Sequence, residues 1–139
     1  MWPTFQLNYL AIVAAAVAAW AIGALWYSPA LFARAWVAAH RYTPEDLERL
    51  KKGAGRAYAV SFLCYLLMAA ALGILASYMA LSRPHQGLQL GLLVWGGFAL
   101  PLGLSAHVFS DKRWSAWVID AGYQLVYLVV MSLILTAWR

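Results

Sequence analysis

Long apolar runs alternate with short polar ones along this chain, and four of the runs reach the ~20 residues a helix needs to cross bilayer hydrocarbon. They lie at about residues 5–27, 57–81, 87–107 and 116–138. No alternation of period two competes with them, and in lipid only helices or closed barrels satisfy the backbone. The pattern predicts an all-α fold: a four-helix transmembrane bundle in which residues 1–139 form a single integral membrane domain.

The polar intervals carry their own punctuation. Gly23-Ala24-Leu25-Trp26-Tyr27-Ser28-Pro29 ends the first apolar run, and Phe32, Arg34 and Trp36 follow. Ser28 before Pro29 suits the cap and first turn of a new helix. Trp26, Tyr27 and Trp36 have the amphipathic rings, and Arg34 the long cationic side chain, that favour the membrane–water boundary. Trp114 and Trp117 are assigned to the same layer at the start of the fourth run. Short interfacial helices are therefore expected in the first loop, residues 28–56. One of them is written out as Thr43 to Gly53: Thr cap, Pro in the first turn, acids before bases, Gly as stop. Ser82-Arg83-Pro84-His85-Gln86 is a short connection expected to pack spans two and three antiparallel against each other.

Small residues recur at spacing four: Ala11, Ala15, Ala19 and Gly23 in the first span, Ala69, Gly73 and Ser77 in the second. Gly87 and Gly91, then Ala99 and Gly103, repeat the spacing in the third. Lipid supplies no hydrophobic drive between helices, so close backbone approach along such seams has to supply the contact. Pro101, with Gly96 and Gly97 a turn earlier, is expected to interrupt the third span near its middle.

Composition agrees with this reading. The 139 residues are 65% hydrophobic and only 11% charged, and the mean hydropathy is +0.70. A net charge of +5 could suggest nucleic acid, but the cations sit in the loops, where membrane topology and anionic headgroups put them. No nucleic-acid partner is expected; the lipid bilayer is. Arg34, Arg41, Arg49, Lys51, Lys52, Arg56, Lys112 and Arg113 fall in the first and third loops, against Arg83 and Arg139 opposite. Positive-inside counting then puts loops 28–56 and 108–115 in the cytoplasm and both termini outside, in an inner (plasma) membrane. The first eight residues carry no Lys or Arg, so the first span reads as permanent rather than as a signal peptide. The lone Cys64 excludes an intrachain disulfide and a paired-thiolate metal site; it reads as a small buried apolar residue.

The candidate chemistry gathers on the fourth span. Asp120, Tyr123, Gln124 and Tyr127 stand at i, i+3, i+4 and i+7, the spacing of one helix face. His107 ends the third span at that depth, and Tyr58, Ser61 and Tyr65 begin the second. Together they could form one polar binding pocket in the cytoplasmic half. The alternative is that Asp120 pairs with Arg113, Lys112 or His107 and pins the helix at the boundary. Asn8 could cross-link helices from the outer half of the first span. With His40, His85 and His107 the only histidines, a bis-histidine haem is not expected. No phosphate loop, zinc-protease or serine-hydrolase motif occurs, so no catalytic residue, cofactor or metal is assigned.

The run Gly-x-x-Trp-Tyr-Ser-Pro-x-x-Phe, here Gly23 to Phe32, resembles the small bacterial membrane proteins grouped as domain-of-unknown-function family 1761. Asn8, Trp36 and the Asp120-Ala121-Gly122-Tyr123 opening of the fourth span extend the resemblance. It implies a four-helix inner-membrane protein and assigns no activity. Three functions stand in order: a non-enzymatic structural or accessory bundle, a small-solute or ion transporter or channel subunit, and a membrane enzyme acting on lipid or quinone. The bundle is expected to be a homo-oligomer, with no small-molecule ligand identified.

Overall fold

The computed structural model describes residues 4–139; Met1, Trp2 and Pro3, part of the N-terminal reading, lie outside the described residues. Helices α1 (Tyr9–Trp26), α2 (Ala33–His40), α3 (Pro44–Lys52) and α4 (Ala54–Tyr78) come first. Then α5 (Pro84–Val94) runs through a π-helical turn (Trp95–Ala99) into α6 (Leu100–His107), and α7 (Trp114–Ala137) closes the chain. Among the described residues four stretches are long and apolar enough to cross a membrane: α1, α4, the continuous Pro84–His107 unit and α7. The fold is the expected all-α bundle with two short helices in the first loop.

The first span starts later than its hydropathy suggests. Asn8 is extended and its side chain accepts from the Ala11 N–H at 3.1 Å, so Gln6 and Asn8 precede α1 rather than belong to it. Its amide also donates to the Trp138 carbonyl at 3.4 Å, tying the start of α1 to the end of α7. Ser28 does not cap the next helix. Its hydroxyl bonds back to the Leu25 carbonyl at 2.6 Å, which also accepts from the Ser28 N–H at 3.1 Å, and α2 starts at Ala33 without a side-chain cap. The third helix follows its punctuation: Thr43 and Asp46 form a reciprocal capping box, Pro44 sits in the first turn and Gly53 ends it.

The fourth span is the centre. Ten residues of α7 are buried, against five in α1 and three in α4. It packs on α1, α4 and α5, while α1 also packs on α4. The short Ser82–Gln86 connection does not bring spans two and three together as expected, because α7 lies between them and α5 packs chiefly on α7. The connection is held locally: the Gln86 side chain accepts from the Ser82 and Arg83 N–H groups at 3.0 and 3.1 Å.

The small-residue seams face the helix contacts. Ala11, Ala15 and Ala19 are fully buried. Gly87 and Gly91 let α5 ride on the backbone of α7: a Cβ at Gly91 would stand 2.7 Å from Val129 Cα, and one at Gly87 2.8 Å from the Ser132 carbonyl oxygen. Such proximity replaces the missing hydrophobic drive with van der Waals contact. Cys64, expected inside, is exposed on α4; that helix buries only Ala69, Leu72 and Ala76 and turns most of its surface outward. The interruption of the third span is the π turn. The Leu100 N–H skips to the Trp95 carbonyl, one turn before Pro101, which has no N–H to give.

Candidate functional site

Asp120 lies on the second turn of α7, and the first loop folds over it. Its Oδ1 accepts from the Tyr27 hydroxyl at 2.6 Å and from the Trp36 indole N–H at 3.2 Å. One residue earlier, the Ile119 carbonyl accepts from Trp26 Nε1 at 3.0 Å. The three rings read as boundary residues thus turn their polar tips inward onto one turn of α7. A chain of aromatic contacts extends from them: Tyr27 meets Trp36 edge-on, Trp36 lies 4.1 Å from the His40 ring, and His40 stacks on Tyr42 at 5.0 Å. His40 Nδ1 is 2.8 Å from the Trp36 carbonyl oxygen, and the Arg113 N–H donates to the Ala39 carbonyl at 3.0 Å, closing α2 against the head of α7. Burial raises the Tyr42 phenol above its ordinary pKa, and the Asp46 and Asp120 carboxylates add to it.

The expected partners of Asp120 do not hold it. Among the described residues the ion pairs are Arg49 with Asp46 and Lys51 with Glu48, both in α3. Arg113, Lys112 and His107 give way to two neutral donors from the first loop. The sequence named Tyr27 and Trp36 but gave them to lipid. The missed signal is that a Tyr O–H or Trp N–H that leaves water needs a partner, and Asp120 is the one acidic group on a spanning helix.

The four residues of α7 also part company. Tyr123 and Tyr127 are buried toward α1 and α4. The Tyr123 hydroxyl has one proton, which goes to the Ala19 carbonyl at 2.7 Å, while the Tyr65 hydroxyl lies 2.9 Å away and can donate to it. Tyr127 packs against Tyr65 at 5.4 Å and reaches Met68 Sδ at 3.7 Å. Gln124 turns the other way, into a groove of about 200 Å³ beside α6 that also holds His107, Ser110, Lys112, Trp117 and Asp120. Positions i+3 and i+4 stand on opposite sides of the i direction, and a helix with neighbours on both sides divides them between its neighbours.

His107 is buried against Trp114 at 4.7 Å and has Ser110 Oγ 3.5 Å from Nδ1. The Trp117 indole N–H is buried at the groove wall without a partner among the described residues. Trp114, Arg34 and Tyr58 are exposed, Tyr58 meeting Trp20 edge-on at 6.3 Å. Neither Tyr58 nor Ser61 bonds to Asp120 or lines the groove. The structure therefore brings Asp120, His107 and Gln124 to one groove, Tyr65, Tyr123 and Tyr127 to a separate buried cluster, and leaves Tyr58 and Ser61 out of both. Among the described residues no three His, Cys, Asp or Glu side chains converge as metal ligands would.

Four apolar spans, three of them packed on the fourth, with an interfacial loop clasped to a carboxylate, define a multi-pass helical membrane protein. The family described as "Protein of unknown function (DUF1761)" matches residues 10–136, and the chain belongs to it. No curated protein and no solved structure matches it.

Proposed function

We propose that this protein is a non-enzymatic structural or accessory bundle of the inner membrane, with loops 28–56 and 108–115 in the cytoplasm, and that Asp120 is a latch rather than a relay. The observation that carries this reading is the pair of neutral donors, Tyr27 and Trp36, on one oxygen of Asp120. A carboxylate inside a span is costly unless paired, and here its partners come from the loop that must be positioned. The phenols once grouped with it are consumed in helix–helix contacts. What the latch presents at the surface is the amphipathic α3 with its acid-to-base order.

The test is Asp120→Asn beside Asp120→Leu in proteoliposomes. Asn keeps an oxygen acceptor and should keep the loop protected from protease; Leu should release it. A transporter-subunit reading draws on the groove holding His107, Asp120 and Gln124. It requires a different result: Asp120→Asn loses solute or ion flux, and Asp120→Leu leaves the loop as well protected as in the native chain. That outcome would overturn the latch.

A further inference from the structure

The side of the third span that faces away from α7 holds two polar groups with nothing to bond to. The first is the Gly96 carbonyl. Its ordinary donor, the Leu100 N–H, bonds to Trp95 instead, and the next residue that could reach it is Pro101, which has no N–H. Gly96 stands at the middle of the Pro84–His107 span. It is exposed, as is Gly97, and a Cβ built on either glycine would meet no atom within 4 Å. The second group is the Gln89 side chain, seven residues before Gly96 and so on the same helix face. It too is exposed, with no side-chain hydrogen bond among the described residues.

Bilayer hydrocarbon supplies no donor, and irregular backbone at that depth persists only where protein or water covers it. Water does not fit here: the surrounding surface is Leu88, Leu92, Leu93, Phe98 and Leu102, all exposed and apolar. A protein surface does. We propose that this face is the interface with a second copy of the chain, two third spans crossing at Gly96 and Gly97 about a two-fold axis along the membrane normal.

A second copy fits for three reasons. Two chains inserted in the same sense place Gln89 opposite Gln89 at equal depth, and a carboxamide both donates and accepts, so the homotypic pair satisfies itself. The paired glycines let the two backbones approach, and their Cα–H groups then face the other copy's unpaired carbonyl. The third span also packs chiefly on α7, which leaves this side unoccupied within one chain.

The experiment uses the full chain in lipid nanodiscs and in membranes. In a Cys64→Ser background, Leu93→Cys should cross-link to a dimer on mild oxidation, while Leu67→Cys, exposed on α4, should not. Gln89→Leu should weaken association by up to about tenfold, the size expected of one interhelical polar pair. Gly96→Leu should give a folded monomer, because the space beside it is empty within the chain. A monomer at every protein-to-lipid ratio overturns the proposal, as does equal cross-linking from Leu67→Cys. A dimer indifferent to both Gln89→Leu and Gly96→Leu does the same. Should Gly96→Leu fail to fold, the cysteine pattern in the otherwise native bundle decides.

Discussion

The Tyr27 hydroxyl lies 2.6 Å from Asp120 Oδ1, a contact spanning 93 residues that fastens the end of α1 to the second turn of α7. Hydrogen bonds to charged groups contribute about 1.5–3 kcal/mol when part-buried. Tyr27→Phe should therefore lower stability in detergent by about 1–2 kcal/mol and raise the protease sensitivity of the first loop. Trp36→Phe should do the same, since it removes the second donor to that oxygen. The double variant should exceed the sum, because either donor alone still pairs the oxygen and only the loss of both leaves the carboxylate without one. Thermal unfolding followed by tryptophan fluorescence, with limited proteolysis between α2 and α4, checks both; unchanged loop protection in the double variant would refute the clasp.

The contact between α1 and α7 a turn deeper allows a sharper test. A Cβ at Gly23 would stand 2.6 Å from the Tyr123 hydroxyl oxygen and 3.0 Å from the ring carbon bearing it. Gly23→Ala should destabilise by about 1–3 kcal/mol through overpacking. Tyr123→Phe alone should lose roughly 0.6–1.7 kcal/mol with its interhelical bond. Combined, the two should be less harmful than their sum, since removing the hydroxyl removes the nearest obstacle. Additive losses in the double-mutant cycle would show that the hydroxyl is not what Gly23 accommodates.

Why some of this was readable in the chain and some was not follows from the range of the forces. Span number, the Thr43 cap of α3 and the glycine seams rest on local chemistry: apolar length, a Thr directly before Pro44 and the acids of the first turn, small residues at spacing four. Which helix sits in the middle is not local. Nothing in the connection Ser82–Gln86 says that α7 will come between spans two and three. The candidate site suffered in the same way. Periodicity put Asp120, Tyr123, Gln124 and Tyr127 on one face, but a helix packed on both sides divides such a face, sending the tyrosines to α4 and Gln124 to α6. Ring type alone sends Tyr27 and Trp36 to the membrane boundary, whereas their polar tips choose Asp120.

Gly91 and Gly73 separate close approach from ordinary contact. A Cβ on Gly91 would meet Val129 Cα at 2.7 Å and the Leu128 carbonyl oxygen at 3.0 Å, both backbone atoms that cannot step aside. One on Gly73 would meet side-chain methyl and methylene carbons of Leu7, Ile12 and Leu135 at 3.5–3.8 Å. Gly91→Ala should cost about 1–3 kcal/mol by pushing α5 off α7. Gly73→Ala should be neutral or gain up to about 1 kcal/mol from helix propensity. Unfolding midpoints of the two variants in one detergent give the comparison, and an equal effect at both sites would contradict the packing.

The first-loop helix should loosen in acid. The Asp46 carboxyl is held below its ordinary value, first by the Thr43 backbone N–H, which donates to Oδ2 at 2.9 Å, then by the Thr43 side chain, with Arg49 adding a smaller pull. A carboxyl whose folded pKa lies below its unfolded one stabilises the fold at neutral pH. That contribution begins to fade as the pH drops to the ordinary aspartate value of about 3.9 and is gone once it has fallen through the lower folded value. Hydrogen exchange at the amides of Asp46 and Leu47, which the Thr43 cap protects, should therefore quicken relative to the spans only at the acid end. Asp46→Asn should weaken the cap and abolish that pH dependence, while Thr43→Ala should cost about 1 kcal/mol of helix stability. Protection that is flat across the acid range in the native chain would mean that the capping box does not hold α3 together.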